Sequence, residues 1–212
     1  MYINKISYIM ENIYEESTIV ANSNVLKFVI ESTQHFDDSH NHVHALRVNY
    51  NAHKIMESIK PDYNKELLMY MAMLHDVCDH KYPESIPREE LEKFIESNLG
   101  SIQKNIVMRV IDNISFSKEV KGLREEIQKP FDMYLLAISD ADRLEALGKV
   151  GIERCIEFTS SHGGIVPDDV VKHCHEKLLR LLPEQFIKTE LGRKLAEPLH
   201  REVELYVAEC SV

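Results

Sequence analysis

An all-α fold is the class this sequence predicts, and two observations predict it. The chain has 212 residues with only 7 Gly, 7 Pro and no Trp, too few turn formers for a sandwich or barrel, while Leu, Ile, Glu and Lys are plentiful. Its apolar residues also recur three and four apart over long stretches, the period of an amphipathic helix. No Pro-, Gly- or Ser-rich stretch divides the chain, so one domain over 1–212 is expected, with a motif-bearing core near 39–151 and helices flanking it.

From Ser39 the first motif-bearing helix carries the apolar line Val48, Ala52, Ile55 and Ile59 and ends at Pro61, which cannot continue it. His40, His44, Arg47 and Asn51 fall on one face beside that line, a polar stripe that is either solvated or borders a buried site. The next helix, about Lys65 to Val77, has Leu67, Met71 and Leu74 at helical spacing and delivers His75 and Asp76 at its C-terminal end. Adjacent helical residues diverge by about 100°, so both reach one ion only if the ion lies between helices. Pro83 and Pro87 mark a loop, and Gly100-Ser101 separates helices Arg88 to Leu99 and Ser101 to Ile114.

Pro130 precedes a helix from about Asp132 to Leu147, stopped by Gly148. On it Asp142 shares an inward line with Leu135 and Ile138, and an inward carboxylate is costly unless paired or metal-bound. That leaves Asp142 as a metal ligand or as an ion-pair partner of Arg47 or Arg143. Asp140, off that line, is expected to bind N–H groups or to support the ligand. Helical segments around Ile152 to Ser160, Asp168 to Leu182 and Lys188 to Ala208 follow, with Ser160 to Pro167 as a loop. Val171, Cys174, Leu178 and Leu181 form a core stripe, beside which His173 and His175 are expected at the surface.

A formal net charge of -10 excludes a general binder of DNA or RNA polymers, which needs a basic surface, but leaves room for a small anionic substrate. Cys78, Cys155, Cys174 and Cys210 form no CxxC pair, so they are expected as reduced thiols rather than zinc ligands. Met1 to Met10 lacks a basic segment followed by an apolar core, and no apolar run of membrane-spanning length occurs. A cytoplasmic protein with no membrane contact is the expectation.

Chemistry concentrates at His75-Asp76, with His44 before it and Asp142 after it. Two imidazoles and two carboxylates are borderline-to-hard donors that suit Mn, Fe, Ni, Zn or Mg. The pair sits in a wider set of three segments: His40-Asn41-His42-Val43-His44 with Arg47-Val48, then His75-Asp76-Val77-Cys78-Asp79-His80-Lys81-Tyr82, then Asp140-Ala141-Asp142-Arg143-Leu144-Glu145-Ala146-Leu147-Gly148. In order and approximate spacing these resemble the HD-domain metal-dependent phosphohydrolase superfamily, in particular its small stand-alone hydrolases, from about Ser39 to Gly151. One departure is visible: the family pattern has an acidic residue after the first His, where this chain has Asn41, which keeps an acceptor oxygen.

The resemblance implies an all-helical HD-domain fold with a metal site between helices, and hydrolysis of a phosphoric ester or anhydride. His44, His75, Asp76 and Asp142 would hold a divalent ion. Asp79, four residues past His75, is placed to accept a proton from the attacking water or to orient it, and His80 is either a proton donor or an exposed residue. Arg47, Lys81, Lys118 and Arg143 are candidates to bind phosphate, Lys118 standing equally as a solvated residue. Ile114 to Lys118 is similar to the serine-phenylalanine stretch of the small HD hydrolases, and Tyr82 and Phe116 either stack on a base or belong to the core. HD proteins with two metals carry extra histidines between the HD pair and the last Asp, and this chain has only His80 there, so one metal is expected. The substrate expected is a small phosphate compound of the nucleotide class; a diiron oxygenase and a non-catalytic nucleotide-binding module are the alternatives.

Overall fold

The structure, a computed structural model, describes residues 23–36, 40–78 and 82–210. Among the described residues every regular element is helical, as composition and period predict, and no helix is long and apolar enough to cross a membrane. The chain divides into two compact units, Met1–Ile138 and Ser139–Val212.

The first unit holds α1 (Ser23–Thr33), α2 (His42–Ile59), α3 (Lys65–Leu74), α4 (Arg88–Leu99), α5 (Ser101–Ile111) and α6 (Phe116–Val120), and the start of α7 (Phe131–Glu145). Its centre is α3, in which every residue from Leu67 to Leu74 is buried. A helix apolar on all sides must be surrounded, and α3 is packed by α1, α2 and α5. It starts at Asn64, whose side chain accepts from the Leu67 N–H, the ordinary N-cap bond. Helix α2 starts at Asn41 and stops ahead of Pro61, with Lys60 extended, because a residue before proline is pushed out of the helical region. On α2 the line Val48, Ala52 and Ile55 is fully buried, whereas Ile59 is exposed at the helix end.

The far side of α2 carries a polar contact that periodicity does not reveal. His53 is buried, and its Nδ1 meets the Tyr63 hydroxyl at 2.7 Å. Burial, helped by Lys65 and opposed by Glu57, pushes the imidazole down from 6.5 to about 4. Its unfolded-state pKa is the higher one, so between those values the unfolded chain binds more protons. The stabilisation from neutral His53 is complete above about pH 6.5 and is lost as pH falls toward 4, by at most about 3 kcal/mol. Urea unfolding at pH 7 and pH 5 should show a smaller loss of stability for His53→Gln than for the unaltered protein. Equal losses in both would remove His53 from the acid response.

The second unit contains the rest of α7, then α8 (Gly148–Ser161), α9 (Asp168–Glu176), a single 3-10 turn at Leu178–Arg180 and α10 (Glu190–Cys210). The turn expected to stop α7 at Gly148 comes earlier, after Glu145, and Gly148 opens α8 instead; its φ of +72° favours glycine, and a Cβ there would come within 2.8 Å of the Leu199 side chain of α10. The expected helix to Leu182 breaks at Lys177, whose backbone leaves the helical region. Cys174, Leu178 and Leu181 are nevertheless buried, and His173 and His175 are exposed as expected. The four cysteines are free thiols.

Candidate metal centre

Asn41 starts the site. Its Oδ1 accepts from the N–H groups of Val43 at 2.8 Å and His44 at 3.4 Å, which ties the ligand-bearing turn to the helix start. The amide therefore caps the helix that carries His44. His44 follows on the first turn of α2, 3% exposed.

His75 caps the C-terminus of α3, where the sequence predicts the helix to run on to Val77. The last turn tightens instead: the Val77 N–H reaches the Leu74 carbonyl, three residues back, at 3.4 Å. His75 Nδ1 likewise lies 2.8 Å from the Ala72 carbonyl. A carbonyl can only accept, so Nδ1 carries the hydrogen, and in the neutral ring Nε2 is left with its lone pair. That is the tautomer a metal ligand requires, fixed by the kind of outer hydrogen bond metal-bound histidines make.

The tightened turn brings Asp76 round to the two imidazoles. Its Oδ2 lies 3.3 Å from His75 Nε2 and 3.6 Å from His44 Nε2, and the two rings are tilted by 56° with centroids 5.3 Å apart. Desolvation disfavours the Asp76 charge, but His75 and His44 outweigh it and hold the carboxyl well below its usual range. Two nitrogen donors and a carboxylate oxygen thus lie within 4.8 Å of one another. A neutral His75 would set one lone pair against another at 3.3 Å, an arrangement relieved by a cation between them. The donor set fits a divalent transition ion, and thiolates are not needed.

The other sequence-derived candidates fall as follows. Arg47 stands one turn beyond His44 on α2, half-buried, as are His40 and Asn51. Lys118 is exposed on α6, and its ammonium donates to the Asp112 carbonyl at 2.6 Å. Phe116 is half-buried. Asp79, His80 and Lys81 lie outside the described residues.

Tyr82 is held in a contact that sequence reasoning did not find. Its hydroxyl meets His40 Nδ1 at 2.8 Å, and its ring stacks on Phe36 at 4.1 Å. One face of the ring is therefore already covered by the protein, and His40 itself meets the His44 ring edge-on, with centroids 6.1 Å apart.

In the second unit Asp142 is half-buried on α7, whereas Asp140 is fully buried. Asp140 accepts from the N–H groups of Lys188 and Thr189, the N–H-binding role expected for it. Arg143 is 2% exposed; its guanidinium donates to the Phe186 carbonyl and lies 6.0 Å from the Phe186 ring centroid, so it anchors α7.

No protein-family model matches the chain. It is 32% identical over 135 residues to the uncharacterized protein YpgQ of Bacillus subtilis, a match covering 61% of this chain and 63% of that one. The matched stretch thus spans less than two thirds of that relative's length. The crystal structure of Bacillus subtilis YpgQ in complex with ADP is similar with a TM-score of 0.69 and 26% identity, over 88% of this chain and 93% of that one. The crystal structure of a HD-superfamily hydrolase from Bacillus thuringiensis is similar with a TM-score of 0.64 and 24% identity, over 94% of this chain and 96% of that one. The chain has an HD-domain-like fold.

Proposed function

We propose, from this HD-domain-like fold, that the protein is a phosphohydrolase that uses one divalent metal to release phosphate or pyrophosphate from small nucleotides. The observation that carries the reading is the convergence of His44 Nε2 and His75 Nε2 on Asp76 Oδ2, with His75 held in its ligating tautomer. The ADP complex of the similar YpgQ supports a nucleotide as the substrate class. Matches running through most of the chain support one domain over 1–212.

In this reading His44, His75 and Asp76, with Asp142 of the third motif as fourth ligand, would hold one ion, which when bound acidifies a water and offsets phosphoryl charge. Asp79 takes the proton of the attacking water, and His80 returns one to the leaving oxygen. Arg47, one turn from His44, binds phosphate oxygens through two parallel N–H bonds, with Lys81 and Lys118 adding charge. Arg143 supports the site through its helix. The net charge of -10 keeps polymeric DNA and RNA away.

The test is a phosphate- and pyrophosphate-release screen over nucleoside and deoxynucleoside phosphates after chelation and reloading. Turnover should be strongest with Mn or another transition ion and weaker with Mg, since imidazole suits the former. Hydrolysis of a sugar phosphate with every nucleotide ignored would overturn the substrate class. ADP binding without turnover in any metal would favour a nucleotide-binding module, and oxygen consumption would favour a diiron oxygenase.

A further inference from the structure

We propose that Asp140 is a positioning residue that sets the direction of Asp142 by locking α7 to the strap Phe186–Thr189. The proposal rests on the reading of Asp142 as a metal ligand. Asp140 is 0% exposed, so its carboxylate is shut off from water and has to be satisfied within the protein. It is spent on backbone: Lys188 N–H donates to Oδ1 at 3.0 Å and Oδ2 at 3.1 Å, and Thr189 N–H donates to Oδ2 at 2.7 Å.

Three residues on, Arg143 donates to the Phe186 carbonyl from the same side of α7. One helix face thus grips the strap twice, once as acceptor and once as donor. The strap is itself rigidly placed. Thr189 caps α10, its Oγ1 accepting from the Gly192 N–H at 3.0 Å, and Ile187 beside it is fully buried.

Asp142 is two residues beyond Asp140, hence about 200° further round the helix and about 100° from Arg143, off the gripping face. Rolling α7 about its axis by about 10° would move a carboxylate there by about 1 Å, given a helix radius of about 5–6 Å with side chains. Metal–oxygen bonds tolerate only about 0.2 Å. A grip on one face therefore decides whether another face can ligate, which accounts for a buried acid at position 140.

The fit around Asp140 supplies a second handle. A Cβ at Gly192 would come within 2.7 Å of Asp140 Oδ2 and 2.6 Å of Thr189 Oγ1, so alanine there crowds the contact between the carboxylate and the strap without altering any charge.

The experiment is Mn(II) binding by calorimetry and electron paramagnetic resonance on the full chain, comparing Asp140→Asn, Gly192→Ala and Asp142→Ala with the unaltered protein. Asp140→Asn keeps the shape but loses the charge and half of the acceptor capacity. It and Gly192→Ala are expected to weaken Mn(II) binding by about 10–100-fold, the scale for outer partners of metal ligands, with helical circular dichroism retained. If Asp140→Asn does not fold, Gly192→Ala decides. Folded variants that lose thermal stability but bind Mn(II) as tightly as the unaltered protein overturn the positioning role while Asp142→Ala still weakens binding. Unchanged binding in Asp142→Ala overturns the ligand reading itself, and the positioning role falls with it.

Discussion

His75→Ala is expected to abolish metal binding and nucleotide hydrolysis together. The substitution removes a nitrogen whose tautomer is set by the Ala72 carbonyl and which lies 3.3 Å from Asp76 Oδ2, leaving His44 and Asp76 of the first unit's three donors. Asp76→Asn should act in the same direction, since a neutral amide oxygen is a poor replacement for the carboxylate that both imidazoles face. Metal that binds only the folded state adds about 2.7 kcal/mol at a concentration one hundred times its Kd. For a chain of this size that is a rise in Tm of about 5–10 °C. The unaltered protein should show that rise on adding Mn, and the His75→Ala protein should show none. Stoichiometric Mn with full turnover in His75→Ala would mean that the site is elsewhere.

How much of this centre is legible in the sequence depends on how its contacts are made. His44, His75 and Asp76 are readable because two of them are adjacent, all three lie in motifs of fixed order, and the helices that carry them have strong apolar periods. The all-helical class is readable for the same reason, and the bounds of α4 follow from Pro87 and Gly100 on either side. Bonds between residues far apart in the chain leave no such trace. Tyr82 with His40, His53 with Tyr63 and Asp140 with Lys188 and Thr189 each join segments that no period relates.

Burial along α7 shows the same limit. The line through Leu135 and Ile138 predicts Asp142 as the inward carboxylate, yet Asp140 is the fully buried one, because the strap from Phe186 to Thr189 covers its side of the helix. The early end of α3 is a local effect of another kind. Helical propensity continues through Val77, but the tightened turn at His75 ends the helix, and propensity carries no information about a side chain that bonds its own preceding turn.

Asp79→Asn should separate ligand from base, and it is the substitution expected to give the largest loss of turnover with the metal still in place. Asp79 follows the ligand pair by three residues and is proposed to take a proton rather than to donate to the ion. Asparagine keeps the shape and an acceptor oxygen, so the water can still be oriented, but it cannot be protonated near neutral pH. Metal content and substrate KM should therefore stay near those of the unaltered protein, while kcat falls by roughly 10²–10⁴-fold, the contribution of a general base. The loss should be confined to kcat because a proton leaves the water only as the reaction proceeds, not when the substrate binds. A more basic nucleophile added in trans, such as hydroxylamine, should restore part of the rate, since it does not depend on deprotonation by Asp79. Loss of metal in the purified variant would make Asp79 a ligand, and an unchanged kcat would leave it with no part in the proton transfer.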